Sequence, residues 1–166
     1  MILVFAVQVA VSLAAPRDIP DNQVFLTFHN SRAGYSIKYP EGWQQRGGGA
    51  DLTFVDKNNS LHVVISRGPA FTLASARADL ARLRHAKPPG TPGAVSTSRL
   101  AGGTAFKATY TTQSAPSPVT GERVTLSVDR YYLSHKGKRA VVDLAGVKGY
   151  DNVDAYRLII RSFRWS

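Results

Sequence analysis

One short segment, Gly34–Trp43 (GYSIKYPEGW), constrains the fold more than any other part of the chain. Tyr35, Ile37 and Tyr39 alternate with polar residues, which is the period-two pattern of a strand with one apolar face. Pro40 removes a main-chain donor and favours an extended conformation at the residue before it, so the strand should end there. The Glu-Gly-Trp that follows indicates a turn anchored by an aromatic side chain. This pattern predicts an architecture and does not predict an activity.

The composition limits the possible classes of protein. The 166 residues suit a single domain with a true hydrophobic core. Because cysteine is absent, the sequence excludes disulfides, thiol catalysis, thiolate zinc sites and the lipobox of a bacterial lipoprotein. The formal net charge is +10, and no charged residue precedes Arg17, so the charge lies on the body of the protein. Such a charge favours anionic partners, although a basic surface without a specific partner fits equally well.

The first fifteen residues differ from the rest. They are apolar except for Gln8 and Ser12, and they end in small residues before Pro16, as secretory signals do. A basic n-region is missing, and a membrane span needs about 20 residues. We expect export across a membrane, with residues 1–15 either cleaved or retained as an anchor, and residues 16–23 as a linker. The apolar contacts of a retained anchor would be Met1, Ile2, Leu3, Val4, Phe5, Val7, Val9, Val11 and Leu13.

Beyond the linker, the pattern predicts strands, then a helix, then strands, then a second helix. The strands are predicted at Val24–Phe28, Asp51–Asp56, Leu61–Ser66, Val95–Leu100, Thr104–Thr112, Arg123–Ser134 and Arg139–Val147. Gln44–Ala50, with three consecutive glycines, is predicted to be a flexible loop. We therefore expect an α+β fold with a central antiparallel sheet and helices on its faces, in one domain spanning residues 24–166.

Both helices are predicted from apolar residues at helical spacing. The first should run from Thr72, as N-cap, to His85, and the second from about Asp151 to Ser162. An Asp151–Asp154 capping arrangement is expected at the start of the second helix. The predicted buried stripes are Leu73, Ala76, Leu80 and Leu83 in the first helix, and Val153, Tyr156, Ile160 and Phe163 in the second.

Taken with these elements, the Gly34–Trp43 motif and the terminal Ile159–Phe163 (IIRSF) resemble the PsbP/Mog1-like family. The resemblance covers roughly residues 24–165. It implies an α-β-α sandwich with a central antiparallel sheet, and it implies no common enzyme activity. Family members include extrinsic subunits on the lumenal side of photosystems, exported or lipid-anchored bacterial proteins, and a nuclear-transport factor. No family catalytic or metal residue has a counterpart to carry over.

The sequence contains no catalytic, cofactor-binding or metal-binding motif. The four histidines show neither HxH nor HExxH spacing. His62 could join Asp51 or Asp56 in a metal site, but a hydrogen-bonded or exposed histidine is the stronger interpretation. No G-x-S-x-G elbow supports a hydrolase. Gly47–Gly49 lack the Lys-Ser/Thr of a phosphate loop and are predicted to form a mobile turn. We therefore expect no enzyme activity and no cofactor.

Basic residues recur along both predicted helices. Arg77 and Arg84 lie seven apart on the first, and Arg157, Arg161 and Arg164 recur at helical spacing on the last. A further group, Lys136, Lys138 and Arg139, lies at the tip of a hairpin. Ordinary solvated helix faces are the simpler interpretation of these residues. The alternative is contact with an acidic membrane surface, where each basic side chain contributes about 1 kcal/mol, and nucleic-acid binding fits worse.

The sequence therefore favours a non-catalytic accessory subunit. It would be exported, would associate with a membrane on its periplasmic, lumenal or extracellular side, and would bind a membrane protein complex or an anionic lipid surface. Photosynthetic and respiratory complexes are implied by the family resemblance. A soluble extracytoplasmic carrier, with a small ligand in a cleft between sheet and helix, is the second hypothesis. An enzyme with an unrecognised site is the third.

Overall fold

The computed structural model describes residues 18–101 and 103–166, which form two antiparallel sheets and two α-helices. The strands are β1 (Phe25–Asn30), β2 (Tyr35–Pro40), β3 (Gln44–Gly48), β4 (Asp51–Asp56), β5 (Asn59–Arg67), β6 (Thr91–Leu100), β7 (Gly103–Gln113), β8 (Thr125–His135), β9 (Lys138–Val147) and β10 (Arg164–Trp165). The larger sheet has the strand order β3-β4-β5-β9-β8-β7-β6, and the smaller has the order β1-β2-β10. The predicted segment 1–15 lies outside the described residues.

The smaller sheet is built on the Gly34–Trp43 segment. β2 begins at Tyr35 and ends at Pro40, as the alternation and the proline predict. It pairs with β1 on one side and with the two-residue β10 on the other. Tyr35 and Ile37 are buried, and Trp43 is buried just beyond the turn. The motif is therefore part of the core.

The large sheet has two faces of different character. One, which we call the core face, carries Leu61, Val63, Val142 and Leu144, all fully buried. Because side chains alternate along a strand, their immediate neighbours point to the opposite face. The smaller sheet and the second helix pack on the core face, and the first helix packs on the opposite one, which we call the α1 face.

Helix α1 (Leu73–Arg82) begins where the sequence predicts. The Thr72 hydroxyl accepts the amide of Ser75 at 3.1 Å, and the Ser75 hydroxyl accepts the amide of Thr72 at 2.8 Å. This reciprocal pair is a capping box. A 3₁₀ turn, Leu83–His85, continues the helix. Ala76 and Leu80 pack against the α1 face through Ala108 and Tyr132.

Helix α2 (Val153–Ser162) follows the prediction except at its first turn. Tyr156, Ile160 and Phe163 are buried as expected, together with Ile159. Val153, predicted to be buried, is 59% exposed. At 100° per residue, Val153 lies at the edge of the buried stripe and not at its centre. It is also the first residue of the helix, so no preceding helical turn shields its side chain from water.

The start of α2 also differs from the predicted capping arrangement. Asp151 Oδ1 accepts the amide of Val153 at 3.2 Å. The N-cap residue itself, Asn152, makes no side-chain cap and instead accepts the main-chain amide of Ile19 at 2.8 Å. Ile19, within the segment predicted as a linker, is buried in the core. The Asn152 side chain, which could have capped the helix, thus ties Ile19 to the body of the protein.

The prediction of a flexible loop at Gln44–Ala50 is wrong. Residues Gln44–Gly48 form β3, which pairs with β4 along the edge of the large sheet. All five residues of β3 are exposed. A strand that buries no side chain has no apolar alternation, so periodicity could not identify it. β3 is a strand because its main chain pairs with the neighbouring hairpin strand β4.

Candidate functional site

Between α1 and the sheet lies a partly buried polar network centred on Arg130. Its guanidinium binds Asp143 through two bonds, Nε to Oδ1 and Nη2 to Oδ2, each 2.7 Å long. Its Nη1 donates to Asp79 Oδ2 on α1 at 2.9 Å. Tyr132 donates to the same Asp79 oxygen at 2.8 Å, and Tyr110 donates to Asp143 Oδ2 at 3.1 Å. One arginine thus connects two carboxylates and ties the helix to the sheet.

The ionisation of this network suits a structural role. Burial raises the pKa of Tyr110, and the charge of Asp143 raises it further. Burial also raises the pKa of Tyr132, and its hydrogen bond to Asp79 adds to the effect. Burial alone lowers the pKa of Arg130, but the hydrogen bonds and charge of Asp143 raise it overall. Each group is therefore held more firmly in its ordinary neutral-pH form, whereas a proton-transfer group needs a pKa near the working pH.

The contact between His62 and an aspartate that the sequence allowed is present on the α1 face. His62 Nε2 lies 2.8 Å from Asp51 Oδ1, because the two residues are diagonal neighbours on β5 and β4. Asp56 is not part of this contact. Across residues 18–101 and 103–166, no cluster of three or more His, Asp or Glu side chains could hold a metal ion. The contact is a surface hydrogen bond.

The predicted basic residues of the last helix line a groove between α2 and the core face. The groove encloses about 240 Å³, and its walls include Arg157, Arg161, Arg99 and Lys107. Lys107 pairs with Asp129 at 2.7 Å, and Arg157 pairs with Asp154 at the same distance. Arg99 and Arg161 have no carboxylate within ion-pair distance in the described parts of the chain. We call these four basic residues and their groove the α2 groove.

Arg164, the third predicted residue of this stripe, is used within the fold. Its Nη1 donates to the main-chain oxygens of Arg161 at 2.6 Å and Phe163 at 2.8 Å. These carbonyls lie in the last turn of α2 and at its C-cap, where a cation satisfies acceptors that the helix leaves open. Arg164 therefore closes the end of the helix and does not line the α2 groove.

Arg77 and Arg84 lie on the other side of the molecule. Both are exposed on α1 and the turn after it, where they border a shallow pocket of about 280 Å³ beside β6. Since α1 and α2 cover opposite faces of the large sheet, the structure does not bring these residues together with Arg157 and Arg161. A flat membrane or protein surface could contact one set or the other.

A larger cleft, which we call the strand-end cleft, opens where the two sheets meet. It encloses about 920 Å³ between the β1–β2 turn and the ends of β3, β5 and β9. Three of its lining residues are basic: Arg32, Arg67 and Lys138. Arg67 and Lys138 are directly opposite each other on β5 and β9. The carrier hypothesis placed its cleft between sheet and helix, but the larger cavity lies between the two sheets.

Solved structures with this arrangement of sheets and helices exist. Cyanobacterial PsbP from Synechocystis is 17% identical, with a TM-score of 0.57, and the match covers 86% of this chain and 92% of that protein. The Ran-binding protein Mog1p of Saccharomyces cerevisiae is 10% identical, with a TM-score of 0.57, over 86% of this chain and 96% of Mog1p. The chain has the PsbP/Mog1-like fold. This confirms the family resemblance and the α+β fold class predicted from the sequence.

A third structure shows the PsbP/Mog1-like body within a longer protein. A Bacteroides thetaiotaomicron protein is 14% identical, with a TM-score of 0.54, over 84% of this chain. The match covers 48% of that protein, so this chain spans about half of its length. No protein-family model matches the sequence, and no curated protein matches it. At these identities the likeness establishes the fold.

Sequence reasoning missed two polar features of this PsbP/Mog1-like body, the strand-end cleft and the Arg130 network. Arg32 and Arg67 are isolated in the sequence, and only the meeting of two sheets places them beside Lys138. The Arg130 network was missed for the same reason, because Asp79 and Asp143 lie far from Arg130 along the chain. A buried charged residue within an apolar strand, as in Arg130-Tyr131-Tyr132, was the available signal, since such residues are almost always paired.

Within residues 18–101 and 103–166, neither helix has the length and apolar character needed to cross a bilayer.

Proposed function

We propose that this chain is a non-catalytic accessory module that is exported and binds an acidic surface through the α2 groove. The partner is a membrane protein complex or the anionic lipid around it, and residues 1–15 would hold the module near the membrane. Mog1p, one of the structural neighbours, is itself named for binding another protein. The fold is compatible with such a role.

The distribution of charge in the α2 groove carries this proposal. Four basic residues line it, whereas Asp129 is the one acidic residue among those that line it. Arg99 and Arg161 are available to an acidic partner, because neither forms an ion pair with the described residues. Exposed charges at the rim of an interface chiefly accelerate association and select the partner's sign. An acidic face is therefore the complement that this surface selects.

Charge reversal on one face tests the proposal. The variant Arg99→Glu/Arg161→Glu changes the α2 groove, and Arg77→Glu/Arg84→Glu makes the same change of net charge on the α1 face. We expect the first variant to bind native membranes at least tenfold more weakly and the second to differ by less than twofold, as measured by co-sedimentation at 0.15 M salt. Equal losses would show that net charge alone controls binding.

Two further arms identify the type of partner. Vesicles of phosphatidylglycerol and phosphatidylcholine measure lipid binding without protein, and protease-treated membranes measure what remains after exposed protein is removed. If binding survives protease treatment and also occurs on the vesicles, the α2 groove binds lipid. Binding lost on protease treatment assigns it to a membrane protein. Full release of a soluble protein beginning near Pro16 would exclude the anchored form.

A further inference from the structure

The strand-end cleft has the charge and shape of a site for a small organic phosphate. We propose that Arg32, Arg67 and Lys138 bind the phosphate group of such a molecule, whose apolar part lies against the wall of the cleft. This inference goes beyond the α2 groove, from which the cleft is separate: the two share no lining residue.

The first argument is the charge of the cleft. Its lining includes three basic side chains and no Asp or Glu. Arg32 and Arg67 make no ion pair among the described residues. The nearest acid in sequence, Asp51, follows the lining residue Ala50, but its carboxylate bonds to His62 on the α1 face. No Asp or Glu side chain in the lining therefore competes for Arg32 and Arg67, and guanidinium groups match the oxygens of a phosphate through paired bonds.

The second argument is how Lys138 is held. Its Nζ donates to the main-chain oxygen of Ser166 at 3.1 Å and lies 6.0 Å from the centre of the Trp165 ring. Gly34, with φ of +75°, leaves the space that this ammonium occupies, because a Cβ there would collide with it. A lysine fixed in this way presents its remaining donors in a defined direction. Fixing the donor before binding reduces the entropy lost when a ligand arrives.

The third argument is the rigidity and size of the cleft. Asn30 Nδ2 donates to the carbonyl of Gly49 at 2.7 Å, which ties the smaller sheet to the β3–β4 turn within the cleft. The enclosed volume of about 920 Å³ lies within the range of about 300–1,000 Å³ typical of small-molecule sites. It far exceeds a single phosphate ion, so there is room for an organic body.

The lining also indicates what that body is like. Ile65, Ala33 and Ala50 provide apolar surface beside the basic residues, and Ser31 and Ser66 add polar atoms. This mixture fits a phosphate monoester with a small apolar or mixed body. A phospholipid headgroup offers the same phosphate, so the test must separate a free small molecule from a membrane. We commit to the free small molecule.

Phenyl phosphate and inorganic phosphate are suitable probes of the purified protein. We expect saturable binding of phenyl phosphate in calorimetric titration at constant ionic strength, at least fivefold tighter than that of inorganic phosphate. Amide resonances of residues 31–34, 48–50 and 65–67 should shift together. The proposal is wrong if phenyl phosphate shows no saturable binding. It is also wrong if only vesicles containing phosphatidic acid bind, at an equal concentration of phosphate.

Matched variants separate the cleft from general charge effects. Arg67→Gln and Lys138→Met should each weaken phenyl phosphate binding about tenfold, the loss expected for one charge-assisted bond. Arg84→Gln, which removes the same charge on the α1 face, should change it by less than twofold. Equal losses in all three would overturn the proposal. Unchanged thermal midpoints show that the variants are folded, and Arg67→Gln is expected to keep its midpoint because the side chain is exposed and makes no ion pair among the described residues.

The same titration distinguishes this inference from the proposed function. Arg99→Glu/Arg161→Glu should lose membrane binding and keep phenyl phosphate binding. Arg67→Gln should show the reverse. If Arg99→Glu/Arg161→Glu abolished phenyl phosphate binding while Arg67→Gln did not, the phosphate would lie in the α2 groove, and the strand-end cleft would not be its site.

Discussion

The two faces of the large sheet are covered by different chemistry. On the core face the contacts are apolar and largely aromatic: Tyr39 stacks on Phe54 with ring centres 3.9 Å apart, and Tyr35 stacks on Phe163 at 5.6 Å. On the α1 face a smaller apolar patch borders the Arg130 network. The apolar cluster on the core face is the larger of the two, whereas the α1 face contains the partly buried charges of the Arg130 network.

This difference separates the source of stability from the source of specificity. Apolar contact is nondirectional and scales with the area removed from water. The bonds of Arg130 have fixed directions, so they define where α1 lies and how it is rotated. A buried ion network contributes little net stability when it is complete, and its loss is costly when it is broken. The following variants test this division.

The largest effect is expected from a cavity on the core face. Phe54 is 1% exposed and contacts the rings of both Phe28 and Tyr39. Phe54→Ala should lower the free energy of unfolding by about 4 kcal/mol, because it removes buried apolar surface and leaves a void. Urea unfolding followed by tryptophan fluorescence measures the loss. Val153→Ala, at the exposed start of α2, should cost less than about 0.5 kcal/mol. Equal costs would contradict the assigned core.

Breaking the network on the α1 face should cost slightly less. Arg130→Met leaves the carboxylates of Asp79 and Asp143 without their cation and should lower the free energy of unfolding by about 3 kcal/mol. Arg82→Met, which removes an exposed arginine 3.9 Å from Asp79, should cost less than about 0.5 kcal/mol. Urea unfolding again provides the measurement.

An apolar replacement of the three charged residues of the network sharpens this test. A triple variant, Arg130→Met with Asp79→Leu and Asp143→Leu, removes the unpaired carboxylates and should recover most of the stability lost by Arg130→Met. If the triple variant is as unstable as the single one, the ion pairs themselves contribute the stability. That result would contradict the division between the two faces.

High pH should lower the free energy of unfolding through buried tyrosines on both faces of the large sheet. Variants of Tyr132, on the α1 face, and Tyr156, on the core face, separate the two contributions. Burial raises the pKa of Tyr132 and raises that of Tyr156 to about 12. The folded state therefore keeps these protons more tightly than the unfolded state does. Stability is complete below the ordinary tyrosine pKa of about 10 and falls as the pH rises above it. The free energy of unfolding, measured from pH 8 to 12, should show this fall.

Removal of each hydroxyl should reduce the alkaline slope by up to about 1.4 kcal/mol per pH unit. At pH 7 the costs should differ. Tyr132→Phe loses a 2.8 Å bond to Asp79 and should cost about 1.5 kcal/mol, whereas the Tyr156 hydroxyl has only a 3.5 Å contact with Asn152. Equal costs at pH 7 would argue against a special role for the α1 network.

The smallest effect concerns the start of α1. Thr72→Ala removes the hydroxyl that accepts the Ser75 amide and should lower the free energy of unfolding by about 1 kcal/mol. Thr72→Ser keeps this acceptor and should cost only a few tenths. Arg77→Ala is the control, because this exposed residue of the same helix lies outside the capping box and arginine and alanine have similar helix propensities. A loss with Arg77→Ala as large as with Thr72→Ala would show that the cap does not fix the start of the helix.

The sequence predicted those elements whose side chains are partly buried. β2, β4, both helices and the Thr72 cap follow from local periodicity and capping, because burial imposes a pattern within a few residues. β3 was missed because none of its side chains is buried, and Val153 was misplaced because a pattern does not show where a helix leaves the sheet. The basic residues at 157 and 161 were identified as a surface. The strand-end cleft and the Arg130 network were not, since both join residues from distant strands.

The short strand β10 has a consequence for how the protein is made. Lys38, in β2, donates its amide to the hydroxyl of Ser162, 124 residues later, and β2 gains its second neighbour only when Arg164–Trp165 are present. During synthesis, therefore, β1 and β2 leave the ribosome long before the residues that complete their sheet. Such distant pairing slows folding toward the millisecond-to-second range. Until then one side of β2 has no strand to pair with, and its main-chain hydrogen-bonding groups stay open to water.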